Sequence, residues 1–200
     1  MNPVAATVAQ SIAAALTVLP MRAFDDLAVG ASGLPPEEHG FYAWWQTPDA
    51  LPSVAATPHP TADLELLYVG IAPRESGSAS NLRKRLAKHH RGTIGSSTLR
   101  LSLTGFLWRR EGWLPTYASR AQLSKSELLA LQEWQRKHLF VQWVEAASPW
   151  LIEPAVIALV RPPLNRAHNE AHPEYTRVGL ARDAVRDEAR TRRVPLERRT

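Results

Sequence analysis

Two aromatic-rich segments of strand character, Gly40 to Trp45 and Leu64 to Ile71, flank a connection that holds four prolines and no hydropathy period. Nothing helical can run through such a connection, so the two segments are expected to form an antiparallel pair. On the first of them Tyr42 and Trp44 share one face, with Phe41, Ala43 and Trp45 on the other. Leu139 to Glu145 alternates in the same way and reads as a third strand.

Helical patterns surround these strands. Residues 4 to 18 read as an alanine-rich helix ending before Pro20, with a second short helical stretch around 22 to 29. Ser80 or Asn81 caps a helix from Leu82 to His90, in which Leu82, Arg85, Leu86 and His89 fall on one face. Ser96 or Ser97 caps the next, with Leu99, Leu103, Phe106 and Leu107 as its apolar stripe. Ser124 and Glu127 form a capping box for a helix through Leu131 and Trp134 to about His138. The last core helix runs from near Trp150 to Val160, stopped by Pro162-Pro163, and Pro154 fits it only within the first turn. The fold class is α/β (α+β): a small central antiparallel sheet of about three strands flanked by helices. An N-terminal helical extension with its linker (1–38), a central domain (39–170) and an arginine-rich tail (171–200) are the expected divisions.

Charge and composition narrow the function. A hydrophobic content of 44% is enough for a proper core. With no cysteine, disulfides, thiolate metal sites and cysteine nucleophiles are all excluded, which fits a cytoplasmic protein. No basic segment precedes the apolar stretch near the start, so a signal peptide is not expected, and no apolar run is long enough for a membrane span. Residues 176 to 200 carry eight arginines against Asp183, Asp187, Glu188 and Glu197, which places +4 of the formal +5 in the tail. That segment reads as a charged helix over 181–193 or as disorder, and as an aid to binding a polyanion.

The order of polar residues along the chain points to a chemistry. Gly40-Phe41-Tyr42 and Tyr68-Val69-Gly70 are followed by Asn81-Leu82, Arg85-Leu86 and His89 on a basic helix, then by Glu153 near a helix start and by Pro163-Leu164-Asn165. Each alone has a packing or capping explanation; their succession resembles the GIY-YIG nuclease family over roughly residues 40 to 165. Phe41 and Val69 stand where that family's motifs have isoleucine. The resemblance implies metal-dependent hydrolysis of DNA phosphodiester bonds, with RNA also open as the partner. Tyr42 and Tyr68 would activate water, Arg85 would grip the phosphate, and His89 would polarise a tyrosine or contact the phosphate. Glu153 would bind Mg²⁺ or Mn²⁺, and Asn165 would hold the site or its backbone. Arg83, Lys84, Lys88, His90, Arg91, Ser96 and Ser97 are candidate nucleic-acid contacts beside it. A binding module without turnover is the alternative, and a protein-interaction role for an apolar patch on residues 4 to 18 a third. His168, Asn169 and His172 read as a surface loop rather than a metal site, and Trp113 as the tryptophan best placed to be exposed.

Overall fold

The computed structural model describes residues 3–28, 30, 31 and 33–193. In chain order its elements are α1 (Pro3–Val18), β1 (Arg22–Ala23), a 3₁₀ turn (Phe24–Leu27), β2 (Gly40–Gln46), β3 (Thr57–Pro58) and β4 (Glu65–Ala72). There follow α2 (Leu82–Arg91), α3 (Thr98–Leu107), β5 (Thr116–Tyr117), β6 (Ala121–Gln122), α4 (Lys125–His138) and β7 (Leu139–Glu145). A 3₁₀ turn (Pro149–Leu151) leads into α5 (Glu153–Val160), and α6 (Tyr175–Thr191) closes the chain of elements.

The sheet is antiparallel, in the order β1-β7-β2-β4-β3. The three long strands are those expected; β1 and β3, two residues each, extend the edges. The helical stretch expected near 22 to 29 is instead β1 followed by the single 3₁₀ turn, with Arg22 opposite Val141 and Ala23 opposite Phe140. β2 lies at the centre, which buries both of its faces and explains why it is apolar or aromatic nearly throughout.

The alternation on β2 divides the core into two. Phe41, Ala43 and Trp45 pack with Leu66, Val69 and Ile71 of β4 beneath α1 and α5, through Ala9, Ile12, Leu16, Val156 and Ile157. Tyr42, Trp44 and Tyr68 face the other way, against α2, α3, α4 and α6. Burying a large apolar side chain contributes about 1.5–3 kcal/mol, so each layer is a substantial part of the stability.

Helix ends follow the capping chemistry in the sequence. The Asn81 side chain accepts from the Lys84 N–H, that of Ser97 from Arg100, and Ser124 and Glu127 close their reciprocal box. Pro154 sits in the first turn of α5, where its missing N–H would have had no helical partner.

The arginine-rich segment is built into the core. α6 packs along α3, burying Val178, Val185 and Ala189, and the Arg182 guanidinium donates to Ser102 Oγ (2.8 Å) and to the Leu164 carbonyl (2.7 Å). Arg186 and Arg190 pair with Asp183 and Asp187 one turn away, and Arg192 pairs with Glu188. Much of the charge read as an arm for a polyanion is thus matched within the helix. Residues 194–200 of that reading, Arg198 and Arg199 among them, lie outside the described residues.

Trp113 is buried rather than exposed, because its indole enters the core with Trp108. The loop after α5 is also more buried than expected: Asn169 donates to the Pro162 carbonyl at 2.9 Å, and His172 Nδ1 accepts from the Glu174 N–H at 3.0 Å. Of α1, Val4, Val8 and Val18 remain exposed.

Candidate active site

Antiparallel register sets Tyr42 opposite Gly70 and Trp44 opposite Tyr68, so both tyrosines rise from one face of the sheet, with ring centroids 6.4 Å apart. Gly70 makes this possible. A Cβ there would overlap the Tyr42 phenol, which lies directly against the backbone of β4. The glycine in Tyr68-Val69-Gly70 is therefore a seat for the tyrosine of the neighbouring strand.

Over that seat α2 presents Arg85 and His89, one helical turn apart. The Arg85 Nε–H donates to the Tyr42 hydroxyl oxygen at 3.2 Å, and His89 Nε2 lies 2.8 Å from the same oxygen. On its other side His89 Nδ1 is 2.7 Å from Ser97 Oγ, the cap of α3. Burial pushes the Tyr42 phenol well above its usual value, opposed by the charge of Arg85. Tyr42 in turn holds Arg85 protonated against its own burial. Burial, reinforced by Arg85 and Arg100, pulls His89 far down, which leaves a neutral imidazole.

Glu153 arrives from the opposite layer. It opens α5, and with Tyr42, Tyr68 and Arg85 it lines a cavity of about 300 Å³, completed in part by Arg74, Asn165, Arg166 and Arg182. Burial raises the Glu153 carboxyl, countered first by His168 and then by Arg74 and Arg85. No other acidic side chain lines the cavity among the described residues, and none of them forms a cluster of three or more potential ligands. One half-buried carboxylate on a cavity suits a hard cation such as Mg²⁺, which keeps several waters and takes other oxygens from a phosphate.

Asn165 does its work on the backbone. Its side-chain amide accepts from the Val69 N–H at 3.0 Å and donates to the Val69 carbonyl at 2.7 Å, while the Leu164 N–H donates to the Leu67 carbonyl at 3.1 Å. Together they occupy the edge of β4 beyond the point where β3 ends.

The candidate nucleic-acid contacts divide. Arg83, Lys84, Lys88 and Arg91 are exposed on α2, although Arg83 is tied to Glu37 at 2.8 Å and to the Pro35 carbonyl. His90 and Ser97 are buried and offer no surface to a polyanion: His90 packs on Phe24 at 4.4 Å between ring centroids, and Ser97 is held between His89 and α3. Ser96 closes its own turn through the Thr93 carbonyl. Sequence reasoning missed Arg74, Arg166 and Arg182 as cavity residues. Arg166, next to Asn165, stacks over Tyr175 at 4.4 Å and has a buried Nε without a hydrogen-bond partner among the described residues. Its adjacency to Asn165 was the one available signal.

No curated protein and no solved structure matches the chain. The family model of the GIY-YIG catalytic domain does, over residues 40–183, a span that takes in every strand and helix contributing to the cavity and the first half of α6. With that match covering well over half of the sequence, the chain belongs to the GIY-YIG family of nuclease-type hydrolases.

Proposed function

We propose that this chain is a divalent-cation-dependent endonuclease that hydrolyses phosphodiester bonds of DNA. The observation that carries the reading is the cavity itself: Tyr42, Tyr68, Arg85 and Glu153, drawn from four separate elements, line one recess. A recess with four guanidinium groups, two phenols and a single carboxylate suits a polyanion better than a neutral or cationic ligand.

In this mechanism Arg85 grips the non-bridging phosphate oxygens with its planar fork. Tyr42, as the phenolate, takes a proton from the attacking water; the water oxygen bonds to phosphorus as the bond to the leaving oxygen breaks. Burial works against the phenolate, and the Arg85 charge and its Nε–H at the phenol oxygen work for it. Tyr68, on the same face, orients the water or shares the base role. Glu153 would hold Mg²⁺ or Mn²⁺, which when bound supplies neutralisation of charge on the phosphate and the leaving oxygen. Asn165 fixes β4, and so Tyr68 and the Gly70 seat, in place. Lys84, Lys88 and Arg91 extend the basic surface along α2 for the flanking strand.

The test is incubation with plasmid and single-stranded DNA in Mg²⁺ or EDTA, alongside Arg85→Ala and Glu153→Ala. Wild-type protein is expected to nick or linearise DNA only with the cation, and both variants to lose that activity. Cleavage that survives in EDTA or in both variants would overturn the mechanism. Binding without cleavage by the wild type would establish a nucleic-acid-binding module instead.

A further inference from the structure

We infer that Ser97 is a positioning residue that fixes His89 in the tautomer with its proton on Nε2, so that His89 donates a hydrogen bond to the Tyr42 oxygen instead of accepting one from it. Ser97 and His89 are both fully buried, so every polar hydrogen they carry must find a protein partner. The Ser97 hydroxyl has two polar neighbours. One is the Arg100 backbone N–H at 3.1 Å, which can only donate. The other is His89 Nδ1 at 2.7 Å, and it is the sole acceptor within reach of the hydroxyl proton among the described residues. Ser97 therefore donates to Nδ1, Nδ1 carries a lone pair, and the proton of the neutral ring resides on Nε2.

The reverse arrangement, with Nδ1–H pointing at Ser97, would leave the serine proton buried with no acceptor. The chosen one pairs the protons of Ser97 and His89, and the donor it leaves without a protein acceptor is the one bordering the cavity. Arg85 and His89 both donate to the Tyr42 oxygen, and the Tyr42 hydroxyl proton is left to point into the cavity it lines. Burial, which keeps the imidazole neutral, is what makes its tautomer a two-way choice. The consequence for turnover rests on the nuclease reading above. Two N–H groups aimed at the Tyr42 oxygen favour its phenolate form, so His89 acts as a donor that steadies the base and not as a base behind it. Ser97, six positions beyond the end of α2, reaches this role because its hydroxyl serves as helix cap and as donor at once.

Histidine ¹⁵N spectra of the full chain test the wiring, and steady-state cleavage of DNA with Mg²⁺ tests its consequence. Wild-type protein is expected to show His89 protonated on Nε2 and bare on Nδ1. Ser97→Gly removes the hydroxyl, while glycine remains tolerable as a cap; it should move His89 toward the other tautomer and lower kcat about tenfold with little change in KM. Ser97→Thr, which keeps the hydroxyl, should restore both. A wild-type ring protonated on Nδ1, or a tautomer unmoved in Ser97→Gly, overturns the assignment. A shifted tautomer with unchanged kcat overturns its role in turnover. Should Ser97→Gly not fold, the wild-type and Ser97→Thr spectra still decide the wiring. If the expected tautomer is seen and no cation supports cleavage, the nuclease reading fails and the wiring stands.

Discussion

The two faces of β2 are built from alternate residues of one seven-residue strand, yet they are held to different standards. Phe41, Ala43 and Trp45 meet α1 and α5 through apolar side chains, where volume and hydrophobicity decide the fit. Tyr42 and Trp44 meet α2 and α3, and there the layer contains the phenols of Tyr42 and Tyr68, the imidazoles of His89 and His90, and the buried arginines Arg100 and Arg182. Arg100 has no carboxylate partner among the described residues; it donates to the His90 carbonyl at 2.8 Å and to Gln135 Oε1 at 2.7 Å, and burial brings it down to about 10. Tyr42, His89 and Arg182 are each met there by hydrogen-bond partners, so on that face direction matters as well as volume. A strand can thus give one side to stability and the other to chemistry, provided that the alternation is never broken near the tyrosine.

The sharpest way to break this comparison is one substitution on each face. Arg85→Ala should reduce DNA cleavage about 10²–10³-fold while leaving the melting temperature nearly unchanged. Trp45→Ala should cost about 3–5 kcal/mol in urea unfolding, with the surviving folded fraction retaining its turnover per molecule. If the two variants instead fail in the same assay, the faces are not separable. Gly70→Ala should bridge them, since its methyl group displaces Tyr42. About 1–3 kcal/mol of stability and most of the activity should be lost together.

Acidity sharpens the comparison further. Burial pulls His90 down to about 4 from its ordinary 6.5. Between those values the unfolded chain binds a proton that the folded chain refuses, so stability is full above pH 6.5 and falls as the pH drops toward 4. His90→Phe should flatten the urea midpoint over this window, and an unchanged slope would assign the titration to His89 beneath it. The smallest effect is expected at the surface of α6. Arg186→Ala removes an exposed pair with Asp183 and should change stability by no more than about 0.5 kcal/mol.

Much of this division was legible in the chain. Strand alternation, the capping residues Asn81, Ser97 and Ser124, and the ordered series from Tyr42 to Asn165 are local patterns, and each is written within a few residues. What escaped was set by distance. The burial of His90 depends on Phe24, sixty-odd positions earlier, and that of Ser97 on α2 closing over it. The arginine-rich segment looked solvated because its charges are frequent; its apolar positions Val178, Val185 and Ala189 matter only once α3 supplies a surface to meet them. Arg74, Arg166 and Arg182 enter the cavity from three different segments, and no spacing links them.

The side-chain amide of Asn165 closes both hydrogen-bonding positions of Val69 at the edge of β4. An open edge at that point would be a template for another chain, since β3 covers only Glu65 and Leu66. One asparagine thereby stands in for a missing strand and guards the molecule against pairing edge to edge with its own copies. Loss of that side chain would be felt as self-association at high concentration as well as in the site.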